Sequence, residues 1–111
     1  MRERRERPPA VPEARGETVR QAILRELEAG PRTARQLSEL LHVRERDVIG
    51  HLEHLARSLR HGGRRLEVEP SRCLACGFRF EHRTRLTRPS ACPRCREQHL
   101  TLPVFAVAGE R

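Results

Sequence analysis

The 111-residue sequence predicts an α+β fold in which three helices are followed by a small β unit held by four cysteines. Three observations predict it. Apolar residues recur at helical spacing in three successive stretches, and the link between the second and third is short enough to force a steep crossing. Polar and apolar residues then alternate over residues 64–69, as in a half-buried strand. Beyond Pro70, two Cys-x-x-Cys pairs stand fifteen residues apart, a spacing that rarely arises without a metal.

Each element has its own signals. Residues 1–16 hold five Arg, three Glu and several Pro but no large apolar stretch. They bury too little surface to offset ordering entropy, so a disordered charged tail is expected. The first helix is expected from Glu17 to Ala29, with Val19, Ala22, Ile23 and Leu27 on one face and Gly30-Pro31 as its stop. Thr33 and Gln36 form the capping box of the second helix, whose expected buried face is Ala34, Leu37, Leu40 and Leu41. His42-Val43-Arg44 is the only link to the third helix, expected from Arg44 to Arg60. Val48, Leu52, Leu55 and Leu59 line its inner stripe, and Arg46, Asp47, Gly50, His54 and Arg57 lie opposite. His61-Gly62-Gly63 ends it. Gly62-Gly63 with Arg64-Arg65 is expected at the tip of a β-wing. The boundaries that follow are a tail over 1–16, a helical unit over 17–69, a cysteine unit over 70–102 and a C-terminal tail over 103–111. The apolar run Leu100–Val107 is read as a third strand of the cysteine unit or as a dimer contact.

Cys73, Cys76, Cys92 and Cys95 are the candidate ligands of one structural Zn2+. Each Cys-x-x-Cys turn aims two sulfurs at one point, and two turns complete a tetrahedron of thiolates with no position left for water or substrate. Gly77 permits the tight turn after the first pair, and Pro93 prearranges the second. The segment has few large apolar residues, so metal binding, worth about 10–16 kcal/mol in zinc-finger peptides, supplies the missing stability. Two disulfides or a rubredoxin-like iron site would use the same residues. A reducing compartment argues against the first; the shorter spacing and the lack of an aromatic cage argue against the second. His82 and His99 read as surface residues.

The formal charge is +8, from 23 basic and 15 acidic side chains, and every basic one is Arg. The excess favours an acidic partner such as nucleic acid. It is uneven: residues 17–69 carry +1 and residues 70–102 carry +5, with Arg79, Arg83, Arg85 and Arg88 on the stretch between the cysteine pairs. No apolar run approaches the ~20 residues of a membrane span, and the N-terminus has no apolar signal region, so the cytoplasm is the expected location. No serine or carboxylate pair has the context of a catalytic site, so no enzymatic activity is expected.

The stretch from Arg35 to Leu55 carries a Leu-x-Val turn at Leu41–Val43, then Val48, then His-Leu-x-x-Leu at His51–Leu55. It resembles the ArsR/MarR-type winged helix-turn-helix over roughly residues 17–69. With the cysteine unit, the whole resembles small prokaryotic predicted transcriptional regulators that join such a domain to a C-terminal zinc ribbon. The resemblance implies a three-helix winged helix-turn-helix followed by a small β zinc ribbon, and a partner in double-stranded DNA. It places the third helix in the major groove, with Arg44, Arg46, Asp47, Gly50, His51 and His54 toward the bases, and Arg64 and Arg65 of the wing on phosphates. It also implies a homodimer reading two half-sites. No cysteine lies in the third helix, which speaks against metal sensing there, and no aromatic set marks an effector cavity. A protein-interaction adaptor of the transcription or another nucleic-acid machinery is the alternative function.

Overall fold

The computed structural model describes residues 12–109 apart from 82 and 84, with side chains from residue 18 onward. Three helices, α1 (Pro12–Ala29), α2 (Ala34–Leu41) and α3 (Glu45–His61), are joined to three strands, β1 (Arg32–Thr33), β2 (Arg64–Glu69) and β3 (Val104–Gly109). The architecture is mixed α+β, with one three-stranded antiparallel sheet of order β1-β3-β2.

α1 begins at Pro12, earlier than the Glu17 start and inside the stretch expected to be disordered. Proline suits a first helical position because its missing N–H has no partner there anyway. The rest of that tail, residues 1–11, lies outside the described residues. Ile23 and Leu27 of α1 are buried, with Val19 and Leu24 packed beside them.

The capping box of α2 is formed: Gln36 N–H donates to Thr33 Oγ1 (3.0 Å) and Thr33 N–H donates to Gln36 Oε1 (2.8 Å). Ala34 and Leu37 are buried, but Leu40 is 53% exposed, contrary to its expected place in the core. Leu37 and Leu41 define the inward stripe of this short helix, and Leu40 falls on its outer edge. His42 closes α2 in the left-handed region (φ 56°). Val43 N–H and Ser38 Oγ–H then tie the turn, donating to Ser38 O and Val43 O respectively. This turn swings the chain into α3, whose Val48, Ile49, Leu52, Leu55 and Leu59 fill the core.

The largest departure from the sequence reading concerns the sheet. The segment 103–111 was expected as a tail. Its Val104–Gly109 portion is instead the central strand, paired with β1 through Phe105 and Val104 and with β2 along its whole length. Phe105 is fully buried in the helical core. The cysteine unit is therefore an insertion between two paired strands, not an appended domain. The ladder continues into it: Glu69 pairs with Val104, and four residues further along on each side Cys73 pairs with Leu100. The equal count on both sides places Pro70 across from Pro103. Neither has an N–H to donate, so the ladder lapses there and resumes where Thr101 N–H donates to Arg72 O (2.9 Å).

The same topology moves the expected wing tip. Gly62 and Gly63 form the turn from α3 into β2, at the opposite end of the β2–β3 pair from the cysteine unit. Arg64 there faces Gly109 across the ladder. Gly109 is required: its φ is +98°, and a Cβ would lie 2.8 Å from Gly63 O and 2.9 Å from Arg64 Cα, both rigid backbone.

Candidate metal centre and basic groove

The two cysteine pairs fold into matching knuckles. In the first, Cys73 N–H donates to Phe78 O and Gly77 N–H to Cys73 O, each at 2.8 Å; in the second, Cys92 N–H donates to Glu97 O and Arg96 N–H to Cys92 O, each again at 2.8 Å. The residue after each pair must take a left-handed conformation. Gly77 does so at φ 83°, and Arg96 at φ 71°. For a residue with a Cβ that conformation costs about 1–2 kcal/mol, so Arg96→Gly is expected to raise the stability of the metal-loaded protein. Part of the gain is lost to the greater freedom of unfolded glycine. A net rise of about 0.5–1 kcal/mol by denaturant unfolding is expected; a loss would show that the Arg96 side chain stabilises the knuckle.

The knuckles bring four sulfurs together. All four Sγ atoms lie within 4.8 Å of one another, with Cys73–Cys95 at 3.5 Å and Cys76–Cys92 at 3.7 Å. A tetrahedral zinc with Zn–S bonds of about 2.3 Å needs sulfur–sulfur edges of about 3.8 Å. The set is thus dimensioned for one metal ion, and four thiolates are a typical zinc donor set. No disulfide joins them. Backbone amides prepare the buried pair for that role. Burial pushes the Cys73 thiol up, but the N–H groups of Cys76 and Ala75 outweigh it and bring it down to about 7. In Cys92 burial is likewise outweighed by the N–H groups of Cys95 and Arg94, and the thiol is lowered. The N–H of Glu97 favours the Cys95 thiolate, yet burial and the three neighbouring sulfurs push it up to about 12. Four thiolates in one place repel each other; a divalent cation removes that conflict.

Between the knuckles, no strand forms among the described residues. Phe78 and Phe80 stack edge-on at 5.1 Å. Arg79 joins Glu81 (2.8 Å) and Glu69 at the end of β2 (3.5 Å), and Leu86 tucks against the helical core. His82 lies outside the described residues, and His99 is exposed.

Arg44, Arg46, Asp47, Gly50, His51 and His54 all line one surface groove of ≈ 680 Å³, together with Val19, Arg20, His42, Val43 and Arg57. Arg44 leans on Asp47 at 3.4 Å. The groove holds four guanidinium groups against one carboxylate, although residues 17–69 are nearly neutral as a whole. The remaining negative charge sits elsewhere. Arg20 and His42 carry no local signal for this groove, because they come from α1 and from the interhelical turn and only packing sets them beside α3.

Arg64 and Arg65 are not part of this surface. Arg64 reaches back to Glu28 of α1 at 2.9 Å and is largely covered, with 14% of its side chain exposed. Arg65 pairs with Glu67 at 2.9 Å. Their expected place at a wing tip is corrected by the course of the chain: both lie at the start of β2, and Arg64 packs beside the end of α1.

Burial, followed by the charge of Arg20, lowers the His51 pKa below its usual 6.5, and Asp47 offsets this only in part. The folded chain therefore binds fewer protons at His51 than the unfolded chain in the window just below pH 6.5. Stability rises with pH through that window and is level above it. Thermal midpoints measured across this range should show the rise, and His51→Gln should remove its His51 share. An NMR titration placing the imidazole at or above 6.5 would contradict the assignment.

A family model described as PF0610-like, N-terminal, matches residues 18–66. None of the curated proteins compared matches the chain. Among solved structures, the solution NMR structure of protein PF0610 from Pyrococcus furiosus is similar to this chain. It has a TM-score of 0.74 and 21% identity, over 94% of this chain and 98% of that one. At that identity the likeness speaks for the fold. Within the described residues, no helix is long and apolar enough to cross a membrane.

Proposed function

We propose that this chain is a zinc-containing, non-enzymatic DNA-binding regulator of the winged helix-turn-helix type. On this reading α3 enters the major groove, and the four-cysteine zinc ribbon stands where the tip of the wing would be. The observation that carries the reading is the groove in which Arg44, Arg46, Asp47, Gly50, His51 and His54 meet Arg20 and Arg57. The order helix, strand, helix, helix, strand, strand, with the last strand in the middle, supports it. Arginine can bridge guanine O6 and N7, and Gly50 leaves room for a base edge. All four thiolates on one ion leave that ion no open coordination position, in keeping with a binding role rather than catalysis.

The wing residues Arg64 and Arg65 drop out of the contact set. A homodimer reading two half-sites would need a surface other than the Leu100–Val107 segment, whose Phe105 is buried and paired on both sides.

Fluorescence anisotropy with duplex DNA at increasing salt tests the reading. Binding should weaken steeply with salt, and Arg44→Ala and Arg46→Ala should each reduce the slope of log K against log salt by about 1. Arg65→Ala should leave the slope unchanged. A folded, metal-loaded protein that shows no salt-dependent binding at about 50 mM salt sinks the proposal. The second reading, an adaptor within the nucleic-acid machinery, would then gain, because Leu74 on the first knuckle is 60% exposed and offers an apolar contact for a protein partner.

A further inference from the structure

A cleft of ≈ 250 Å³ opens where the first turns of α2 and α3 meet residues 86–88 and 102–103. Its apolar lining is Ala34, Ile49, Leu86, Leu102 and Pro103, and its polar lining is Arg35, Glu45, Arg46, Thr87 and Arg88. Arg35, Arg46 and Arg88 are exposed and have no ion-pair partner among the described residues. Three unpaired guanidinium groups therefore surround one apolar hollow, against the single carboxylate of Glu45.

We propose that this cleft binds a small organic anion with an apolar body, a compact carboxylate. Ligand pockets combine a mostly apolar wall with a few convergent polar groups. A carboxylate is the group that a guanidinium fork holds with two parallel hydrogen bonds. The apolar part rests on Ile49, Leu86 and Leu102, and the carboxylate turns to Arg46 and Arg88. The cleft is smaller than the roughly 300–1,000 Å³ usual for drug-sized ligands, which limits the body to about one ring or a short chain. Glu45 opposes an anion and so weakens the field, but the three arginines of the lining outnumber its one carboxylate and keep the cleft positive.

Arg46 belongs to this cleft and to the basic groove alike. An anion that holds its guanidinium takes a cation from the groove, so occupancy lowers affinity for phosphate. That coupling rests on the DNA-binding reading; occupancy of the cleft does not.

The test uses the full metal-loaded chain without DNA. Amide NMR spectra are followed during titration with benzoate, phenylacetate and hexanoate, with benzamide as the neutral control and ionic strength held constant. Saturable shifts at Ile49, at residues 86–88 and at Leu102 are expected with at least one carboxylate, with benzamide weaker by about fivefold, as one partly exposed ion pair allows. Arg88→Gln should weaken the carboxylate by about threefold and leave benzamide unchanged. Leu86→Glu should abolish the shifts while peak dispersion is retained. The proposal is overturned if all three carboxylates give only unsaturated shifts to about 20 mM, an affinity no better than weak surface association. It is equally overturned if benzamide matches them or if the shifts scatter over surface arginines. With the cleft saturated, the DNA salt slope should fall by about 1; an unchanged slope in a DNA-binding protein overturns the coupling alone.

Discussion

Removing the metal from Cys73, Cys76, Cys92 and Cys95 is expected to unfold residues 70–103 and to destabilise the helical core with them. The inserted unit has little interior of its own: Cys73 and Cys92 are themselves among its few buried side chains, and Leu74 is 60% exposed. Metal coordination, on the order of 10–16 kcal/mol in zinc-finger peptides, is what orders such a segment. Its loss reaches the core through topology. β2 and β3 pair along their length and the unit connects them, so without the metal the sheet must be closed by a flexible loop of about thirty residues. That closure costs about 3 kcal/mol out of a total stability of roughly 5–15 kcal/mol. A strong chelator, or Cys92→Ser, should lower the thermal midpoint by more than about 10 °C and reduce helical as well as strand signal in far-UV circular dichroism. Added Zn2+ should restore the chelated protein. Because the ligands must be deprotonated, acid should release the metal. An unfolding curve indifferent to the chelator would remove the metal from the account of this fold.

Phe105→Ala is expected to have the next largest effect. Phe105 is fully buried, and it sits on the strand between β1 and β2 while packing in the same cluster as Ile23, Leu37, Leu52 and Val48. Truncating a buried Phe costs about 3–5 kcal/mol, from lost burial and the cavity left behind. For a domain near 100 residues that corresponds to a fall of at least about 12 °C in midpoint. The variant should still take up one metal ion per chain where it remains folded, which separates core damage from damage to the knuckles. A fall of only a degree or two would mean that the helices hold together without the central strand. They would then constitute the folding unit that the sequence reading drew at residues 17–69.

The parts of the structure that were readable in advance are those with local causes. The capping box of Thr33 and Gln36 depends on residues three apart, and it forms as expected. The inner stripe of α3 and the alternation of β2 depend on the periods 3.6 and 2, and both elements appear within a residue of their expected bounds. The four sulfurs converge because each Cys-x-x-Cys turn is a local structure, repeated with the same hydrogen bonds. Within the candidate groove, the residues of α3 could be grouped because helical spacing alone puts them on one face.

What the order of residues determined by itself was therefore the set of pieces: three helices with their caps, one alternating strand, and a donor set for one ion. Tertiary structure alone decided how they are joined. Leu100–Val107 is an apolar run whose pairing partners lie far away in the chain, and nothing within the run distinguishes the edge of a ribbon from the centre of a sheet. Only burial of Phe105 against three helices selects the second. That choice turns the cysteine unit into an insertion, carries Arg64 back to Glu28, and sets Arg20 across from His51. The physical reason is that hydrogen-bonded turns and amphipathic periods act over a few residues. Strand pairing and the neighbours of a charge are instead settled by which distant surfaces exclude water together.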